Sequence, residues 1–403
     1  MSSPKVAIIG AGLSGLSLAL ALHQQGIKST AYEQASAPLD IGGAIMLSPN
    51  SLRALDKLGV LKRMLPHSYK FDELFFLSQN DELVDVFEFG DEEKYGYTGI
   101  RVYRFELINV LLDLVREAGI EVVYGRKFDK IVDENERGVT WRFTDGSEET
   151  ADLLIGADGI HSRVRSYLYP DLAPKFTNMI GVTAAVPTSQ LGEHDYKLPA
   201  TFMHDKRGAF VIAPQLADGS EVLIGKQKVF VGEDPGRDAW KAMNSDKTWC
   251  VDFLREGKED YPSIVSNATF EISPERVNLW PFYLLPKLDK WASEKHSRVV
   301  ILGDAAHAIP PTAGQGVNQA FEDVYTFAGV LGRIKGQGLS ETLDRWQMGR
   351  QERVDRIIEL NSEINKRRMP KVDGVAVETK PFDVDWLYKV DLDEQVKEFA
   401  GRN

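Results

Sequence analysis

The sequence predicts an α/β fold: a Rossmann-like domain into which an antiparallel β-sheet domain is inserted, with a C-terminal helix. Three observations carry this. Val6–Ile9 is a continuous apolar run ending in glycines, followed by a helical pattern over Leu13–Gln25 and a second short strand over Lys28–Glu33. That is the βαβ order of a parallel sheet buried on both faces. Two later apolar runs, Leu153–Ile155 and Arg298–Leu302, end similarly, at Gly156-Ala157-Asp158-Gly159 and Gly303-Asp304. From about Thr177 to Val231 the chain changes to short alternating runs broken by Pro and Gly, the pattern of antiparallel strands.

The remaining elements follow in order. Pro49–Leu58 reads as a helix, with Leu52, Leu55 and Leu58 on one face and Gly59 as its stop. Phe105–Ala118 is an amphipathic helix closed by Gly119, and Glu121–Tyr124 is a strand. Val139–Phe143 alternates and runs into Asp145-Gly146, a hairpin signal. Gly208–Pro214 and Glu221–Gly225 belong to the antiparallel region, Val317–Ile334 is a long helix, and Leu343–Arg367 is a charged one. Lys371–Lys380 mixes charge, Gly and Pro, as a linker does. The expected division is 1–72, 97–176 and 272–367 for the discontinuous Rossmann-like domain, 73–96 and 177–271 for the inserted domain, and 368–403 for a tail.

Composition narrows the classes. The 403 residues are 43% hydrophobic and 27% charged, as in an ordinary globular protein of more than one domain. With 48 Lys+Arg against 60 Asp+Glu the net charge is −12, which disfavours nucleic acid. Cys250 is the single cysteine, so no internal disulfide forms and a cytoplasmic setting is expected. The longest apolar stretch, Val6–Leu22, is interrupted by glycines and serines and suits neither a signal peptide nor a membrane span. No metal site is expected.

Gly10-Ala11-Gly12-Leu13-Ser14-Gly15 fits G-x-G-x-x-G at a strand-to-helix junction. The first glycine permits the turn, the second lets a pyrophosphate approach the backbone, and the third lets helix pack on strand. Glu33, with Gln34 after it, ends the next strand, where its carboxylate can accept from both ribose hydroxyls. This fragment alone leaves NAD and FAD both open. Strand ends of an open α/β sheet collect ligands, and three such ends imply one extended ligand.

With Gly42–Asn50, Arg101-Val102-Tyr103-Arg104 and Trp280-Pro281-Phe282-Tyr283 added to these motifs, the sequence resembles the FAD-dependent aromatic hydroxylases, single-component flavoprotein monooxygenases of the p-hydroxybenzoate and salicylate hydroxylase type. The resemblance runs from Val6 to about Arg367, and Asp385-Trp386-Leu387-Tyr388 is similar to an ending common among fungal members, so a fungal member is expected. It implies that Gly10, Gly12, Gly15 and Glu33 hold the ADP half of FAD, and that Gln34, Gly43 and Ala44 also bind the cofactor. Arg104 would reach the diphosphate and ribityl region, and Asp304 a ribityl hydroxyl. Asp158 would serve both FAD and NAD(P)H. Pro311 and the backbone of Gly314, Gly316, Val317 and Asn318 would lie against the isoalloxazine ring. There is no second G-x-G-x-x-G, which agrees with a family that takes NAD(P)H in a surface groove.

The implied cycle is reduction of FAD by NAD(P)H, addition of O2 to give a flavin C4a-hydroperoxide, and transfer of its distal OH to a small aromatic or heteroaromatic substrate. Epoxidation or Baeyer–Villiger insertion on a secondary metabolite is the alternative. The enzyme is expected to be a monomer or homodimer, away from membranes. Candidate catalytic residues are His204, Met46 and Pro311; Met46 stands where some relatives acting on a hydroxypyridine carry a histidine. Phe202, His204, Phe210 and Met46 would form a mostly apolar pocket, which predicts a neutral aromatic or indole-like substrate. A carboxylate substrate would instead call on Arg101 and Arg207.

Overall fold

In the computed structural model, which describes residues 4–38, 43–334, 338–368 and 382–401, five strands form a parallel sheet in the order Val299–Ile301, Leu153–Gly156, Lys5–Ile9, Lys28–Tyr32, Glu121–Val123. Val6, Ile8, Leu154, Ile155 and Val299–Ile301 are completely shut off from solvent, which is why these runs do not alternate. Helix Leu13–Gln24 packs against Arg104–Glu117 and Gly316–Leu331. An antiparallel meander, Phe128–Asn135, Gly138–Phe143 and Glu148–Ala151, joins the same core. Its Trp141 and Phe143 rings sit 5.7 and 5.2 Å from that of Tyr32.

Seven strands form the second sheet, in the order Asn278–Leu284, Lys175–Pro187, Glu221–Val229, Gly208–Pro214, Ala200–His204, Glu73–Ser78, Leu83–Glu88. Ala200–His204 runs parallel to Glu73–Ser78, and the other pairings are antiparallel. One expected boundary is corrected here. Asn278–Leu284, assigned from sequence to the 272–367 segment of the Rossmann-like domain, pairs along Lys175–Pro187 as an edge strand of this sheet. Its short mixed run of Trp, Pro and aromatics carries no period to show which sheet it joins.

Strand parity decides what each face does. Phe202, Phe210, Ile212, Val222 and Ile224 share a core with Cys250, Val251 and Leu254 of helix Lys247–Arg255 and Ile264 and Val265 of helix Ser263–Ala268. The other face looks toward the Rossmann-like domain. Between the two sheets lies a small third one, Ala44–Leu47, Gly99–Tyr103 and Ser68–Phe71. Leu47, Ile100 and Val102 join the first core, while Met46, Tyr69 and Phe71 join a third apolar cluster with Phe76, Phe87, Phe89 and Met203.

Leu339–Arg368 forms one long helix, and Leu392–Phe399 closes against Gly316–Leu331. The expected linker Lys371–Lys380 and residue Gly42 lie outside the described residues.

Candidate functional site

The glycine turn is built as its spacing predicts. Gly10 has φ +102°, and a Cβ there would fall 2.5 Å from the Ala157 carbonyl oxygen. A Cβ on Gly15 would come within 1.9 Å of the Gly10 oxygen, so helix and strand can pack only around a glycine. At Gly12 a Cβ would meet nothing within 4 Å. The space it opens is a groove of ≈ 520 Å³, lined also by Glu33, Gly43, Ala44 and Arg104. Glu33 accepts from the backbone N–H of Ala11 through Oε2 (3.0 Å) and of Ala35 through Oε1 (2.9 Å), which fixes its carboxylate against the turn. Each oxygen keeps acceptor capacity toward the groove. Gln34 is exposed and takes no part in the groove wall.

Arg104 and Asp304 come together from distant parts of the chain. Crowding by the groove walls lowers the Arg104 pKa, while the Asp304 carboxylate opposes that shift. Asp304 opens a short helix after Gly303, where its charge is favourable. Asp158 accepts from the backbone N–H groups of Arg163 (2.8 Å) and Val164 (3.2 Å) through Oδ2. Its Oδ1 is buried with no hydrogen-bond partner. Burial raises its pKa, against hydrogen bonds from that same turn.

The segment expected to face the isoalloxazine is held from behind by a buried polar network. Gly314 has φ +64°, and Gly316 opens the helix Gly316–Leu331. Val317 is half-buried, Asn318 is fully buried and Pro311 is exposed. The Asn318 side chain donates to the carbonyls of Gly314 (2.6 Å) and Met46 (3.2 Å) and accepts from the Ser48 N–H (3.0 Å). It therefore ties the Met46 strand to the loop, leaving only backbone for a ligand. Behind it Asn50 donates to Glu322 (2.6 Å), which binds Arg350 (2.5 Å) and Arg353 (2.6 Å). Asp323 binds Arg350 (2.7 Å), His307 (2.5 Å) and the N–H of Gly303 (2.9 Å). Sequence reading missed Glu322, Asp323, Arg350 and Arg353. The available signal was the run of polar residues Asn318, Gln319, Glu322 and Asp323 inside an otherwise apolar helix.

The expected catalytic residues Met46 and His204 lie in different places, and only His204 is corrected. Met46 joins the third apolar cluster, and its methyl group is the atom a Gly314 Cβ would strike at 2.9 Å. His204 does not reach the groove. Its Nδ1 accepts from the N–H groups of Lys206 (3.0 Å) and Arg207 (3.3 Å), and its ring packs on Tyr261 at 5.3 Å. It terminates a strand by capping the next turn. Phe202 and Phe210 are corrected likewise: both are fully buried in the core that contains helices Lys247–Arg255 and Ser263–Ala268. The seven-stranded sheet meets the groove instead through Thr183, Leu223 and Trp280, and Ala35, Ile45, Ile108 and Tyr124 are also in its wall.

An FAD binding domain family model matches residues 3–361. The chain belongs to that family. It is an FAD-dependent monooxygenase. It is 31% identical to a 3-amino-4-hydroxybenzoate 2-monooxygenase of Streptomyces cremeus, covering 81% of this chain and 78% of that protein. It is 29% identical to a hispidin-3-hydroxylase of Neonothopanus nambi, covering 94% and 92%. A solved salicylate hydroxylase substrate complex superposes with a TM-score of 0.80 at 22% identity, over 100% of this chain and 99% of the other, a likeness of fold. Bacterial and fungal relatives both match, so the expectation of a fungal member finds no support. The residues fit FAD: the open cradle at Gly12, the anchored Glu33 carboxylate and the unpartnered Asp158 Oδ1 are what a dinucleotide needs. No helix among the described residues is long and apolar enough to cross a membrane.

Proposed function

We propose that this FAD-dependent monooxygenase hydroxylates a small aromatic or heteroaromatic ring, with NAD(P)H and O2 as co-substrates, in the cytoplasm and as a monomer or homodimer. The observation that carries this is one continuous groove. It joins the nucleotide wall of Gly12, Glu33 and Arg104 to Thr183, Leu223 and Trp280 of the seven-stranded sheet, by way of Gly43, Ala44 and Ile45. FAD supplies electron uptake from NAD(P)H and the activation of O2.

The chain's own residues supply binding, orientation and exclusion of water. Gly316 and Val317 begin a helix of 16 residues, whose N-terminal N–H groups favour negative charge on a ring lying against them. Phe71, Phe87 and Phe89 are buried beside Met46 and Met203 and keep water from that end. Met46 offers no base, and His204 is engaged elsewhere. A ring bearing its own electron-donating hydroxyl or amino group needs least help there. The relatives fit this reading, since one is named for an aminohydroxybenzoate and another for hispidin.

The test is reconstitution followed by turnover. The protein should bind FAD and turn yellow, and NAD(P)H oxidation should produce a hydroxylated ring. A protein that binds FAD but converts no electron-rich aromatic, across acids, phenols and indoles, contradicts the proposal.

A further inference from the structure

Every deeply buried cation in the described network beneath the flavin segment has its counter-charge. Arg350 meets both Asp323 and Glu322, and Arg353 meets Glu322. Arg101 is different. It lies in strand Gly99–Tyr103 with 5% of its surface exposed. Its one hydrogen bond runs from Nε to the Pro214 carbonyl oxygen at 2.7 Å, and Nη2 is buried without a partner. No carboxylate among the described residues pairs with it. Burial pulls its pKa down to about 10, with only Tyr103 opposing, so the group remains a cation at neutral pH. A buried charge left unpaired is costly, and an unsatisfied donor at such a place calls for a reason.

Its position supplies one. Arg101 stands directly across from Met46 on one side and Tyr69 on the other. Directly opposed residues in an antiparallel pair have Cβ atoms about 5 Å apart on the same face. The Met46 methyl group reaches the Gly314 loop, so the guanidinium is one side chain removed from the segment that faces the flavin ring. Arg104, by contrast, lines the nucleotide groove and begins the next helix. The diphosphate therefore has its own cation. Arg207, the other cation expected for an acidic substrate, is already taken by Asp260 at 2.7 Å.

We propose that Arg101 is the specificity-determining residue of the substrate site, and that its guanidinium receives an anionic oxygen, a carboxylate or a phenolate, carried by the aromatic substrate. This replaces the neutral substrate expected from sequence. That expectation rested on Phe202, His204, Phe210 and Met46, and the first three face a different core or turn. The inference rests on the hydroxylase reading above.

Binding to the FAD-loaded enzyme, followed through the flavin absorbance and by calorimetry, tests this without turnover. The panel holds hydroxybenzoic and aminobenzoic acids, the matching amide of each, and 4-nitrophenol across its ionisation. In the natural chain, the anionic forms should bind about ten-fold or more tightly than the neutral ones. Arg101→Gln should remove that preference while changing amide affinity little, and Arg101→Lys should keep part of it. Preference for acids over amides assigns a carboxylate, and preference for ionised nitrophenol assigns a phenolate. A panel in which no anion binds better than its neutral counterpart overturns the proposal, as does a Gln variant with normal FAD content that weakens both classes alike. The comparison within the natural chain needs no variant to fold. Acids that bind through Arg101 and are never hydroxylated would sink the hydroxylase reading and leave Arg101 in place.

Discussion

Glu33 shows how far a single residue can be read before the fold is known. Its type and its place at the end of the second strand point to a ribose contact, and the structure anchors its carboxylate to the turn through Ala11 and Ala35. Glu33→Ala should weaken FAD binding about ten-fold or more, since it removes charge-assisted hydrogen bonds. Asp304→Ala should do the same, and should also lower the Arg104 pKa further by removing the carboxylate that opposes its shift. A fluorescence titration with FAD measures both, and unchanged affinity in folded variants would reject these roles. Gly15→Ala tests sterics rather than charge. Its methyl would overlap the Gly10 oxygen, so both Tm and FAD content should fall. His204 was not legible in this way, because its role depends on where its strand ends and which turn follows.

At the level of elements, the helix Gly316–Leu331 carries the most information that sequence concealed. Its location and its glycine start were visible, but the partners of Glu322 were not. Arg350 follows it by 28 residues, on another helix. Burial pushes the Glu322 carboxyl up, yet the guanidiniums of Arg353 and Arg350 outweigh this and hold it at about 2 against an ordinary 4.5. Its folded pKa is depressed, so the stability it contributes is present above about pH 4.5 and is lost as pH falls toward 2. Tm measured across that window should decline, and the decline should be shallower in Glu322→Gln. Equal slopes would contradict the pairing. Arg350→Met should cost about 3–5 kcal/mol, because two buried carboxylates lose their partner. The inserted sheet shows the complementary limit. Its strands were recognisable, but a strand packed on both faces hides its parity, and Phe202 and Phe210 point into the core behind the sheet rather than into the pocket.

For the whole molecule, the order of motifs was legible because each of the three glycine-containing strand ends must sit at the same edge of one parallel sheet. The third, small sheet was not, since its strands are short and pair with residues from 28 (Phe71 with Gly99) to 59 (Ala44 with Tyr103) positions away. That sheet couples the two larger ones. Gln215, at the end of strand Gly208–Pro214, accepts the Ala44 N–H at 2.8 Å and donates to the Tyr103 hydroxyl at 2.8 Å, next to Arg104. Substrate seated under the seven-stranded sheet can thereby act on the cofactor wall. NAD(P)H oxidation should accordingly rise steeply when the right aromatic is present, and stopped-flow reduction equally fast without it would refute that coupling.

The measurement that bears most directly on the assigned chemistry is turnover under ¹⁸O2 with mass spectrometry of the product. One labelled oxygen atom should enter the aromatic ring for each NAD(P)H consumed. Unlabelled product, or NAD(P)H oxidation that yields only hydrogen peroxide with every electron-rich aromatic offered, would contradict a monooxygenase acting on an aromatic ring.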